Sequence, residues 1–125
     1  MISNPHKNIS VLQKIGMALL VSVMAVRPGM ADISATDSRA HFDQGMEAFN
    51  SGNFGSAELL FRKIVESGDS EYLDRAWFFM ARSIFGKKKY EAALFEFKSF
   101  LNRCRTDELA VESRFWMGES YYLLK

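Results

Sequence analysis

Nucleophilic catalysis and metal binding draw on His, Cys and clustered carboxylates, and this 125-residue sequence offers two His, one Cys and no motif that gathers them. His41 falls among apolar positions at helical spacing with no second ligand beside it, so it reads as a packing or surface residue. Cys104 reads as a small, partly buried hydrophobe, with an intermolecular disulfide as the other use of an odd cysteine. Lys87-Lys88-Lys89 is the one basic run, and without interleaved aromatics and further cations it reads as a solvated turn, not a nucleic-acid patch. The expectation is no catalytic residue, no metal and no cofactor.

Aromatic side chains make the more informative constellation. Phe42, Phe78 and Phe115 recur at one place in the pattern, and seven residues after each stand Phe49, Phe85 and Tyr122. Seven residues is two helical turns, so each pair shares a face. Met46, Arg82 and Glu119 lie between them. Two uses are open: rings packed on one another between adjacent helices, or an apolar surface offered to a partner's helix or extended segment.

The elements that position these rings are repeated. Phe54, Ala57, Phe61 and Ile64 lie 36 residues before Tyr90, Ala93, Phe97 and Phe100, and Met80, Ala81 and Ile84 lie 37 residues before Met117, Gly118 and Tyr121. Each unit reads as a helix, a turn (Ser51-Gly52-Asn53, then Gly86 to Lys89) and a second helix. Helices are expected at about 38–50, 54–67, 71–85, 90–103 and 111–125. Asn53 is placed to cap the second, Gly68 to end it, and Thr106 to start the fifth. The fold class is therefore all-α, a helical-hairpin solenoid of about two and a half repeats (about 38–71, 74–107 and an incomplete 111–125).

These residues resemble the tetratricopeptide repeat family, whose pattern is Trp-x2-Leu-Gly-x2-Tyr followed by Ala-x3-Phe over about 34 residues. Ala57 with Phe61 and Ala93 with Phe97 match its second half, and Trp77-x2-Met80-Ala81-x2-Ile84 and Arg114-x2-Met117-Gly118-x2-Tyr121 match its first. His41-x2-Gln44-Gly45-x2-Ala48 is the weakest copy, Arg105 replaces the closing proline, and Lys88 stands where the turn favours glycine. Within the family, Ala110 to Tyr122 is most similar to envelope proteins of bacteria, the Tol-Pal-associated periplasmic and outer-membrane assembly lipoprotein types. The resemblance implies that Gly45, Ala81 and Gly118 face Ala57 and Ala93 at the helix crossings. It also implies that the Phe42, Met46, Phe49, Phe78, Arg82, Phe85, Phe115, Glu119 and Tyr122 set lines a concave partner-binding groove. The Lys and Asn carboxylate clamp of chaperone-tail-binding members is absent from those positions.

Residues 1–31 differ from the rest: Lys7 and Lys14 precede an apolar run, Ile15 to Val26, of 12 residues, then Arg27-Pro28 and Gly29-Met30-Ala31. That run falls short of the roughly 18 residues that span a bilayer, so it reads as a secretory signal peptide cleaved before Asp32. An uncleaved anchor is the other reading. Cleavage removes three cations and no acid, leaving 13 basic against 15 acidic residues in place of 16 against 15, and no electrostatic case for nucleic acid. A short polar lead, 32–37, precedes the solenoid, 38–125.

The expected function is an exported, non-enzymatic scaffold of the periplasm or cell envelope that binds a protein segment. The alternative is an anchored stalk or repeat module of a larger envelope assembly or enzyme. The last helix, apolar all round through Phe115, Trp116, Met117, Tyr121, Tyr122, Leu123 and Leu124, leads to the expectation of further repeats beyond Lys125 or of self-association through 111–125.

Overall fold

Apolar stripes at helical spacing, punctuated by turn residues, become five helices in the computed structural model, which describes residues 35–68, 71–104 and 106–125 and, among these, contains no strand. They are α1 (Ala35–Asn50), α2 (Phe54–Ser67), α3 (Leu73–Gly86), α4 (Tyr90–Leu101) and α5 (Asp107–Leu123). The expected signal peptide lies outside the described residues. Of the expected polar lead, Ala35 to Asp37 already belong to α1, and α5 begins at Asp107, earlier than the repeat alignment places it.

Helices α1 and α2 form one hairpin and α3 and α4 a second; α2 packs on α3, α4 packs on α5, and α3 also reaches α5. Contact between sequence neighbours is how a stack of repeats is held together.

The two hairpin turns are superimposable in their hydrogen bonding. Ser51, Gly52 and Asn53 donate their backbone N–H groups to the carbonyls of Glu47 (3.0 Å), Phe49 (3.0 Å) and Ala48 (2.8 Å). Thirty-six residues on, Lys87, Lys88 and Lys89 donate to Ser83 (3.1 Å), Phe85 (2.8 Å) and Ile84 (3.3 Å). The central residue is left-handed in both, Gly52 at φ 77° and Lys88 at φ 62°. A side chain there costs about 1–2 kcal/mol that glycine avoids, so the second turn is held in place against its own local preference. Lys87 is not a free tip as the sequence suggested. Its Nζ reaches Glu58 on α2 at 2.8 Å, where Arg62 also binds at 2.8 Å, which ties the two hairpins together.

At the other helix ends, the Asn53 side chain accepts from Ser56 N–H at 3.3 Å, and left-handed Gly68 (φ 72°) donates back to Ile64 and Val65. Thr106 precedes α5 in an extended conformation without capping it by its side chain. Its hydroxyl lies 3.3 Å from Asp74 in the first turn of α3 instead.

The core runs through both hairpins as one cluster: Phe42 from α1, Ala57, Phe61 and Ile64 from α2, six residues from α3 between Ala76 and Ile84, and Ala93, Phe97 and Phe100 from α4, with Trp77 at its edge. Phe79 is the hub of its aromatic part, with ring centroids 5.3–6.3 Å from Phe42, Phe49, Phe61 and Phe78. Such ring pairs add about 0.5–1.5 kcal/mol each beyond the area they bury.

Candidate partner-binding surfaces

Three first helices carry the same face, and two of the three are covered. On α1, Gly45 is so close to α2 that a Cβ there would lie 2.7 Å from Phe61 Cε1. Phe42 meets the Phe61 ring at 5.7 Å, and Phe49 meets Phe54 at 5.5 Å. On α3 the equivalents repeat the arrangement: Ala81 is fully buried, Phe78 meets Phe97 at 6.1 Å, and Phe85 meets Tyr90 at 5.1 Å. On α5, nothing lies within 4 Å of where a Gly118 Cβ would stand, and Phe115 and Tyr122 are 59% and 69% exposed.

This face corrects the groove inferred from resemblance. Phe42 and Phe78 are 3% and 1% exposed, Phe42 enclosed between Phe61 of its own hairpin and Tyr72, Arg75 and Phe79 of the next, Phe78 by Phe97 and Phe100 of its own, with Phe49 and Phe85 half-buried beside them, so Phe42 and Phe78 do not line an open surface. The reason is rotational. Positions three before and four after the small residue share its side of the helix, and that side is where the second helix lies. The small residues answer mainly to Phe61 at the first crossing, while Ala57 and Ala93 are fully buried as the crossing requires.

A different strip of the first helices remains partly open. Met46 and Glu119 are half-buried, and between α1 and α5 the Arg82 guanidinium lies 3.6 Å from the Trp116 ring centroid and 5.4 Å from that of Phe49. Arg75, two turns earlier on α3, covers Phe42 at 4.4 Å. Cations over ring faces contribute about 0.5–2 kcal/mol, more as they lose water. Burial pushes the Arg82 guanidinium down from its ordinary value and the Glu112 carboxylate draws it back up, and arginine remains a cation throughout. Arg75, Phe79 and Trp116 were not singled out by the repeat pattern. Their signal was positional, because Phe79 and Trp116 directly precede Met80 and Met117 in register.

The residues with reactive groups are separated. His41 Nδ1 is buried without a hydrogen-bond partner. Cys104 Sγ sits between the backbone carbonyl and N–H of Thr106, each at 3.3 Å. Burial pushes its thiol up, the Thr106 backbone bond lowers it, and the Asp74 and Asp107 carboxylates raise it further. Among the described residues no group of three or more His, Cys, Asp or Glu is placed to hold a metal ion, and no helix is long and apolar enough to cross a membrane. Trp77 marks the crossing of α3 and α4, its Nε1 donating to Glu96 Oε2 at 3.0 Å.

Compared with known proteins, the chain matches no family model, no curated protein and no solved structure.

Proposed function

We propose that this chain is a tetratricopeptide-type scaffold of the bacterial cell envelope, exported by its N-terminal segment, which binds a segment of another protein and performs no chemistry itself. The observation that carries the reading is the strip on the first helices. Arg82 lies over the half-buried Phe49 and Trp116 rings, beside Met46, Glu119 and the exposed Arg75, a mix of apolar and charged groups that spans three helices. Such a strip suits an extended or helical peptide that supplies apolar side chains for the rings and a carboxylate for the exposed Arg75. The repeated turn geometry and the 36-residue register support the family assignment.

A second reading, a repeat module serving a larger envelope assembly, is favoured by the run of exposed apolar side chains on α5.

The test is affinity capture from envelope extract on the wild-type chain and on an Arg75→Glu, Arg82→Ala variant of unchanged helix content. A protein retained by the first and lost from the second supports the strip as the binding surface; equal retention overturns it. N-terminal sequencing of the native protein tests export, with Asp32 the expected first residue. A retained Met1 in a membrane fraction would favour the anchored alternative.

A further inference from the structure

The open strip of the first helices changes charge from one end to the other, and the order of charges limits what can lie in it. Two rows of residues cross the three helices in register: Arg39, Arg75 and Glu112, and, two turns further on, Met46, Arg82 and Glu119. Between the rows stand Asp43, Phe79 and Trp116. On α1 the charges cancel, because Arg39 lies 3.9 Å from Asp43. On α3 both charges are cations, and on α5 both are acids. The strip therefore passes from neutral on α1, through positive on α3, to negative on α5.

The charges on α3 and α5 are not satisfied within the fold. Among the described residues, Arg75, Arg82, Glu112 and Glu119 make no hydrogen bond and no ion pair. Arg82 is the unusual one, half-buried, with its guanidinium carbon 3.6 Å from the Trp116 ring centroid, 5.4 Å from that of Phe49 and 6.0 Å from that of Phe78. The shortest of these distances is the contact of a guanidinium lying flat on a ring, which leaves the N–H groups along its edge without an acceptor. A guanidinium that has lost water from its faces gains most from a carboxylate that meets the edge with two parallel hydrogen bonds. Glu112, whose charge acts on Arg82 from α5, repels an acid arriving from that side. The acid therefore approaches over Met46 on α1, and whatever continues onto α5 meets Glu112 and Glu119. The chain's own leading segment lacks the chemistry for this, since residues 1–31 hold Lys7, Lys14 and Arg27 and neither Asp nor Glu.

We propose that the strip receives a charge-split, extended segment of a partner protein, its acidic end on Arg82 and Arg75 and its basic end on Glu112 and Glu119. This rests on the strip being the binding surface and adds the charge order of its occupant.

The probes are labelled peptides blocked at both ends: a split peptide, Glu-Leu-Glu-Leu-Leu-Lys-Leu-Lys, and versions whose charged positions are all Glu, all Lys or all Gln. At about 3.3 Å per residue each is long enough to cross three helices packed about 9 Å apart. Anisotropy titration against the full chain should rank the split peptide first. Arg82→Ala should weaken it about ten-fold or more with unchanged helix content. Glu112→Lys together with Glu119→Lys should reorder the series so that the all-Glu peptide binds tightest, an inversion that loss of fold cannot produce. Equal affinity for the split and all-Gln peptides, an unchanged order in the double variant, or no binding of the split peptide overturns the proposal. Capture from envelope extract then separates the two failures: capture still lost from the Arg75→Glu, Arg82→Ala variant keeps the strip as a binding surface with a different occupant, and capture retained overturns both. Sedimentation of the chain alone supplies the remaining outcome: a dimer dissolved by Arg82→Ala would make a second copy the occupant and overturn the partner segment.

Discussion

Gly45 and Gly118 stand at the same place in their repeats and should answer the same substitution in opposite directions. Gly45→Ala drives a methyl group into the fully buried Phe61 ring, 2.7 Å away, and overpacking of this kind costs about 1–3 kcal/mol. Gly118→Ala meets nothing and gains the helix preference of alanine, about 0.5–1 kcal/mol. Thermal melts of the two variants should shift down and up respectively. Lys88 makes a similar comparison with Gly52: Lys88→Gly removes the left-handed strain while keeping the turn's hydrogen bonds, and should raise stability by up to about 1 kcal/mol. A drop in melting temperature would mean that the Lys88 side chain holds the turn by a contact of its own.

At the scale of elements, the bridge from Glu58 on α2 to Lys87 at the end of α3 should make hairpin docking sensitive to acid. Burial pushes the Glu58 carboxyl up, but the hydrogen bonds and charges of Lys87 and Arg62 outweigh it and leave the group below its ordinary value of 4.5. A carboxyl depressed in the folded state stabilises fully above its unfolded value and loses that contribution as pH falls through the folded one. Glu58→Gln should therefore be less stable than wild type at neutral pH, by less than about 1 kcal/mol for so accessible a pair of cations, and the gap should close below pH 4.5. A gap that persists unchanged in acid would remove the ion pair from the account. The helices themselves were legible in the sequence, since Ala57-x3-Phe61 and Ala93-x3-Phe97 recur at one offset and each pattern specifies a buried stripe. The direction of the Phe42 and Phe78 side chains was not legible. A repeat of rings fixes which residues share a face, but whether that face meets the next helix or open solvent depends on where the chain returns. The inner position of Phe79 left one trace, the aromatic Trp116 in register with it, but which surroundings that position meets depends on the same return of the chain.

The molecule as a whole sets two kinds of surface beside one another: hairpins closed by Phe61 and Phe97, and first-helix positions left for something else to cover. Phe78 and Phe115 report on that division. Phe78→Ala should cost about 3–5 kcal/mol by opening a cavity inside the second hairpin, whereas Phe115→Ala, at a 59% exposed ring, should stay within about 0.5 kcal/mol of wild type. Equal losses would mean that α5 is covered as fully as α3. The outward side of the second helices also carries apolar groups in register, Leu59 and Phe95, which provides an internal control for stickiness without specificity. The measurement that bears most directly on the scaffold reading is site-specific photo-crosslinking in the native compartment, with a benzophenone side chain placed in turn at Arg75, Phe115 and Leu59. The account predicts discrete adducts of defined mass with another protein from position 75, and none from position 59. No adduct from position 75, or the same adducts from all three positions, would contradict it.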